Sequence, residues 1–160
     1  MNLRKTFNTF LFLILLISYS ACGFKVTNKS NLSSYSILEL THEGEKKINY
    51  NLRNKILFVS SDKDQNEISL HLNTNKEKII KEKNIKNEVT KFQITIFTKV
   101  KIKFIGDKKA KEFIVSETGD YNVHEQYSQT LNKEKKLINI LTEKLANNIL
   151  EELSLIPDAV

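Results

Sequence analysis

Cysteine, proline, glycine and tryptophan are scarce in this sequence. Its 160 residues include one Cys, one Pro, four Gly and no Trp. A single cysteine excludes a disulfide framework and a zinc site built on several cysteines. The low glycine and proline contents exclude a collagen-like or low-complexity chain. The length suits a single domain.

The first 21 residues have the form of a secretory signal. Arg4 and Lys5 precede the apolar run 10–17 (FLFLILLI), and small residues follow it at 18–21. This three-part pattern is typical of a signal peptide. The apolar run is much shorter than the roughly 20 residues that cross a bilayer. We therefore predict that 1–21 is a signal peptide, and the cysteine directly after it indicates a lipoprotein signal peptide.

The single cysteine, Cys22, directly follows this segment. Ser20-Ala21-Cys22 resembles a bacterial lipobox, with Tyr19 where the pattern usually has Leu. We predict that Cys22 is acylated with palmitate-type chains, because two or three chains hold a protein stably on a membrane. An ordinary secreted protein with a free thiol is the alternative. Gly23 stands where Asp would retain a lipoprotein in the inner membrane, so we expect the bacterial outer membrane and a periplasm-facing domain.

Hydrophobic patterning predicts a tether over 22–35 and one domain over 36–156. Strands are predicted at 36–41, 67–74, 92–104 and 110–117, and helices at 45–59 and over about 28 residues ending near 153. The strongest signal is 92–104, where seven even positions form one face of a half-buried strand. Residues 76–90 either continue a strand or form a loop. The predicted fold is α+β, with a single mixed, largely antiparallel sheet of about four strands packed against two helices (β-α-β-β-β-α).

The turn after the long strand is predicted to set the register of the following hairpin. A four-residue turn, Gly106–Lys109, places Ile102 opposite Phe113. A two-residue turn would place Ile102 opposite Lys111. The longer turn keeps apolar residues together, so it is preferred.

No catalytic motif is present. His124-Glu125 begins like the zinc-binding H-E-x-x-H motif, but Ser128 stands where the second histidine is needed. Glu125 is better explained as the capping-box partner of Asn122 at the start of the last helix. We therefore predict a protein that is not an enzyme, with no metal and no cofactor.

Lysine supplies 23 of the 25 basic residues, a bias that is often compositional. The lysines singled out here share a strand face or the hairpin tip: Lys99, Lys101, Lys103, Lys108, Lys109 and Lys111. One interpretation is a solvated face with lysines that protect a sheet edge. The other is a patch for the phosphates of a lipid headgroup or glycolipid. The secretory signal argues against a nucleic acid partner.

Three passages together resemble the LPS-assembly lipoprotein family (LptE type). They are Cys22-Gly23-Phe24, the strand-helix-strand-hairpin order of 36–117, and 119–123 (GDYNV) with the helix that follows. The resemblance covers essentially the whole chain after the signal. The chain departs from the family in being short and in carrying lysine where the family surface is rich in arginine.

The resemblance implies an outer-membrane lipoprotein that plugs and helps assemble the LptD-type β-barrel translocon. Such a protein assists lipopolysaccharide insertion into the outer leaflet. The implied partners are the barrel, lipopolysaccharide and the membrane lipid around the anchor, and the six lysines are candidate contacts to barrel or glycolipid. The alternative is a lipid-anchored periplasmic adaptor, such as an auxiliary lipoprotein of a lipid transporter or a synthase activator.

Overall fold

The computed structural model describes residues 36–59, 67–106 and 110–156. The elements are β1 (Ser36–Gly44), α1 (Lys46–Val59), β2 (Glu67–Lys83), β3 (Val89–Phe104), β4 (Ala110–Asn122) and α2 (Tyr127–Ser154). Their order confirms the predicted β-α-β-β-β-α fold. The predicted signal and tether, with Cys22, lie outside the described residues, as do Lys108 and Lys109.

The four strands form one sheet in the order β1-β2-β3-β4. β1 pairs with β2 in parallel, while the other two pairs are antiparallel. A parallel pair needs a long crossover connection, and α1 supplies it. The sheet is therefore mixed and largely antiparallel, as predicted.

The core lies between one face of the sheet and the two helices. The even-numbered residues of β2 and β3 face the helices, because side chains alternate along a strand. Fully buried members are Leu70, Leu72, Ile94, Ile96 and Ile102 from the sheet, with Leu52, Ile56, Leu145 and Ile149 from the helices. The other face of the sheet, called the open face below, carries the odd-numbered residues of β2 and β3 and the even-numbered residues of β4. No described element covers it.

Residues 76–90, which the sequence left open, belong mainly to strands. β2 continues to Lys83 and pairs with β3 to the end. The turn between them is ordered by Asn84, whose Oδ1 accepts hydrogen bonds from the amides of Lys86 and Glu88 at 2.9 and 3.0 Å. Ile85 is fully exposed at the tip. Because this end of the hairpin is exposed on both faces, its sequence lacks the apolar alternation that identifies a half-buried strand.

The predicted register of β3 with β4 is wrong by two residues. The structure sets Ile102 opposite Lys111 and Val100 opposite Phe113. A shift of two leaves every side chain on the same face, so the apolar pattern could not choose between the two registers. The Lys111 ammonium lies 5.5 Å from the centroid of the Phe104 ring. This cation–π contact makes Lys111 acceptable opposite an apolar residue.

The predicted capping box is also wrong. Asn122 is the last residue of β4, and the N-cap of α2 is Gln126, which makes no side-chain cap hydrogen bond. Glu125 lies in the bend before the helix. The Thr130 hydroxyl instead accepts a hydrogen bond from the His124 amide at 2.9 Å. Pairing with β3 extends β4 beyond the point at which the capping pattern would end it.

Candidate functional site

The open face carries a row of three lysines at one end. Lys99, Lys101 and Lys103 point to this face from β3. Glu112 of β4 lies opposite Lys101, with its two carboxylate oxygens 2.6 Å from Lys99 Nζ and 3.6 Å from Lys101 Nζ. The hydrogen bond from Lys99, with the charges of both lysines, holds the pKa of Glu112 below its ordinary value. One carboxylate thus offsets part of the charge of two lysines.

The other lysine candidates lie elsewhere. Lys111 occupies the opposite side of the sheet, next to Phe104. Lys108 and Lys109 lie outside the described residues. The structure therefore brings Lys99, Lys101 and Lys103 together and separates Lys111 from them.

A shallow depression of about 460 Å³ lies at the end of this lysine row. Its lining residues are Glu39, Thr41, Ser69, Leu70, His71, Lys101 and Lys103. The strand registers arrange the side chains in two rows across three strands: Thr41, His71 and Lys101 in one, and Glu39, Ser69 and Lys103 in the other. Thr41 Oγ1 and His71 Nδ1 lie 2.9 Å apart. The alternation of β2 puts His71 on this face, but its place beside Lys101 depends on the register.

A second polar cluster, which the sequence analysis missed, ties the β2–β3 hairpin to α2. We call Lys78, Phe92, Tyr121 and Glu134 the junction cluster. Tyr121, only 5% exposed, donates a hydrogen bond to Glu134 Oε2 at 2.7 Å, and Lys78 Nζ donates to the same oxygen at 2.7 Å. The Lys78 ammonium lies 4.4 Å from the Phe92 ring centroid, and this ring stacks on Tyr121 at 5.6 Å. Four elements of the sequence meet here, so no local motif could have revealed the cluster.

The junction cluster favours the charged forms of Glu134 and Lys78. Desolvation alone would raise the pKa of Glu134, but the hydrogen bonds from Lys78 and Tyr121 outweigh it, and the pKa lies below its ordinary value. Desolvation alone would lower the pKa of Lys78, yet its bonds to Glu134 and Tyr121 raise it. The cluster is thus an ion pair with a shared acceptor, which suits a structural role.

Replacing Glu134 by Gln is expected to destabilise the domain by about 1.5–3 kcal/mol at pH 7, the usual range for hydrogen bonds to a charged group. Because the folded pKa of Glu134 is lowered, the carboxylate contributes its full stability above the ordinary unfolded pKa, about 4.3. That contribution is lost as the pH falls through the folded value. Urea unfolding of the wild-type protein and of Glu134→Gln at pH 7 and at pH 3.5 measures this contribution to stability.

Glu152→Gln is the matched control, because it removes the same charge from an exposed position of α2. It should change stability by less than about 0.5 kcal/mol at either pH. If the free energies of unfolding of the wild-type protein and of Glu134→Gln differed by the same amount at pH 7 and at pH 3.5, the charge of Glu134 would not be the source of the effect.

Neither metal binding nor a membrane span finds support in the part of the chain that the structure describes. No group of three or more His, Cys, Asp or Glu residues there is placed to hold a metal ion. None of the described helices combines the length and apolar character that crossing a bilayer requires.

A four-stranded mixed sheet with two helices on one face defines an α+β class that solved bacterial proteins share. No protein-family model and no curated protein sequence matches this chain. The chain is similar to the solution structure of an uncharacterized lipoprotein B from Nitrosomonas europaea, with 16% identity, a TM-score of 0.58, and coverage of 82% of this chain and 90% of that one.

Two crystal structures are similar as well. A putative lipoprotein from Caulobacter crescentus has 15% identity and a TM-score of 0.55, over 79% of this chain and 91% of that one. The rare lipoprotein B from Shewanella oneidensis has 16% identity and a TM-score of 0.51, over 72% of this chain and 93% of that one. At these identities the likeness shows a shared fold.

Proposed function

We propose that this protein is an outer-membrane lipoprotein that occupies the lumen of an LptD-type β-barrel, helps the barrel to assemble and assists lipopolysaccharide insertion into the outer leaflet. The observation that carries the proposal is the fold shared with three lipoproteins from three organisms. The lipobox-like segment ending at Cys22 supports the same assignment. We propose a non-catalytic role, in which the protein acts by occupying and positioning.

The open face has the polarity that a barrel interior requires. Its middle carries hydroxyl and amide side chains, including the Thr95–Thr118 pair with hydroxyls 3.0 Å apart and Gln93, which donates to Asp120. Large outer-membrane barrels are polar inside and apolar outside. A sheet with such a face can contact the inner wall of a barrel through the polar groups in its middle.

The lysine row lies at one end of that face. In the proposed complex, Lys99, Lys101 and Lys103 contact the barrel rim or a glycolipid there, because lysines attract phosphate groups. An acyl anchor at Cys22 keeps the domain near its barrel, which raises the effective concentration of the two partners without any added contact.

Affinity purification of the tagged, lipidated protein from mildly solubilised outer membrane, followed by mass spectrometry, tests the proposal. A large β-barrel is expected in stoichiometric amount. A second tagged outer-membrane lipoprotein of unrelated fold serves as the control and should not recover that barrel. Protease applied to the native complex should leave the domain intact, since a plug is shielded by its barrel.

The adaptor alternative predicts a different result. Recovery of the protein alone, or with an inner-membrane transporter or a cell-wall synthase, would contradict the plug proposal and favour a periplasmic adaptor. Rapid proteolysis of the domain in intact complexes would point the same way, because an adaptor stays accessible.

A further inference from the structure

The depression on the open face lies at the end of the domain to which the predicted tether leads. β1 begins at Ser36, which pairs with Glu67, the first residue of β2. Lys103 pairs with Ser69, only two residues from the same end. The 14 residues from Cys22 to the domain can extend to at most about 50 Å. The depression therefore lies at the end of the domain where the predicted tether joins.

Donors and positive charge dominate this depression. Lys101 and Lys103 supply two ammonium groups, and His71 lies directly across the strand pair from Lys101. Directly paired residues have Cβ atoms about 4.5–5.5 Å apart, so flexible lysine side chains on adjacent rows can converge on one small anion. The Ser69 hydroxyl adds one further donor, whereas the Thr41 hydroxyl is engaged with His71 Nδ1 and the Leu70 carbonyl oxygen.

The hydrogen-bond partners leave these donors available. Thr41 occupies Nδ1 of His71, which orients the ring and leaves Nε2 for a ligand. Nε2 lies 4.0 Å from the Glu43 carboxylate, beyond hydrogen-bond distance. Lys101 lies 3.6 Å from the carboxylate that Lys99 holds at 2.6 Å.

Acidic groups limit the charge that the site can accept. Within the described residues, no carboxylate lies within ion-pair distance of Lys103, although Glu39 lines the same depression. Glu39 is exposed on β1, an edge strand of the sheet. Glu112, 3.6 Å from Lys101, and Glu43, 4.0 Å from His71, add two further negative charges beside the site. Lys103 therefore supplies most of the uncompensated positive charge, which suits a ligand with a single negative charge.

We propose that His71, Lys101 and Lys103, with the hydroxyl of Ser69, bind the phosphate group of an anionic phospholipid in the membrane that carries the anchor, while Thr41 orients His71. The phosphodiester of such a lipid offers two non-bridging acceptor oxygens and one negative charge, which the ammonium groups and the His71 ring can contact. This assignment rests on the lipid-anchored part of the proposed function and is independent of a barrel partner. It selects two of the three lysines of the row and adds a histidine that the lysine pattern does not contain.

Solution NMR of the full lipidated protein in neutral detergent micelles tests the proposal. Three probes are titrated separately: short-chain phosphatidylglycerol, inorganic phosphate and a short-chain diacylglycerol without phosphate. Phosphatidylglycerol is expected to shift the His71 ring and Ser69 amide signals in a saturable way. The apparent Kd should rise at least about tenfold in the double variant Lys101→Gln/Lys103→Gln, while Lys99→Gln, the matched control, should change it less than about twofold.

The probes separate the two possible sources of phosphate. A much weaker response to inorganic phosphate supports a lipid headgroup as the ligand. An equal response supports a phosphate site but overturns its assignment to lipid. Equal shifts with the phosphate-free diacylglycerol, no shift with any probe, or an equal loss of affinity in Lys99→Gln would overturn the site itself.

Barrel recovery distinguishes this proposal from the proposed function. The phosphate titration uses the lipidated protein in micelles that hold no barrel, whereas barrel recovery is measured on the wild-type protein from outer membrane. Either result can therefore fail without the other. If the wild-type protein is recovered without a barrel, the plug proposal is contradicted. The phosphate titration then still stands as an independent result.

Discussion

Replacing Cys22 by Ser is expected to move the protein from the membrane fraction to the soluble fraction. Serine is close to cysteine in size but lacks the thiol that would carry the acyl chains. Each buried CH₂ of a chain contributes about 0.8 kcal/mol, so loss of two or three chains removes nearly all of the membrane affinity. Fractionation with immunoblotting measures the shift, and mass spectrometry of the N-terminal peptide identifies the modification.

Tyr19→Leu is the matched control for the Cys22 variant. It brings the segment closer to the lipobox pattern and should leave the protein fully in the membrane fraction. A high-salt wash removes protein held by surface charge alone. A wild-type protein found in the soluble fraction, or an unmodified thiol in the wild-type peptide, would favour the secreted-protein alternative. Retention of Cys22→Ser after that wash would contradict an anchor that depends on Cys22.

Gly44→Ala is expected to cost about 3 kcal/mol or more, enough to unfold much of a marginally stable domain. Gly44 ends β1 with φ at +88°, a region that L-residues rarely adopt. A Cβ there would lie 2.0 Å from the carbonyl oxygen of Thr74. That oxygen also accepts the Glu45 amide hydrogen bond at 3.0 Å, so the backbone cannot move aside without breaking the corner between β1 and α1.

Gly106→Ala separates the two causes of this loss. Gly106 also has a positive φ, +96°, but a Cβ there would meet no atom within 4 Å. It should therefore lose only the conformational cost, about 1 kcal/mol. Urea unfolding followed by far-UV circular dichroism compares the variants. Equal losses would mean that the contact with Thr74 contributes nothing.

The fold was predictable where one face of an element is buried and the other is not. The seven even positions of 92–104 identify β3 because helices cover one side of it, while none of the described helices covers the other. The same contrast identifies the first half of β2 and the stripe of α2. In these segments the hydrophobic period and the tertiary packing carry the same information.

The predictions were wrong or left open where an element has no contrast between a buried and an exposed face, or where two arrangements share the same faces. Beyond about residue 78, β2 is exposed on both faces, so its length depends on pairing with β3. The hairpin register is a choice between arrangements with the same faces, so the apolar pattern does not decide it. In the structure, Lys111 lies opposite Ile102 and beside the Phe104 ring. The end of β4 is set by its ladder to β3, which a local capping pattern does not report.

Only the lysines of the candidate site could be predicted from the sequence, because alternation along a strand fixes the face but not the register. Alternation places Lys99, Lys101 and Lys103 on one face whatever the register. The position of His71 beside Lys101, and of Thr41 beside His71, requires the β2–β3 register and a parallel pairing across 30 residues of chain. Single-sequence patterns do not report such long-range pairings.

The length of β2 bears on which side of the membrane the far end of the domain would reach. Its 17 residues, at about 3.3 Å each, extend for about 55 Å, whereas a bilayer with its headgroups is about 45 Å thick. A domain held upright inside a barrel, with the start of β1 at the inner leaflet, would carry Ile85 beyond the outer leaflet. An epitope or thiol label placed at that turn would then be accessible from outside the cell. The acyl anchor of the same protein would lie in the inner leaflet, on the opposite side of that membrane.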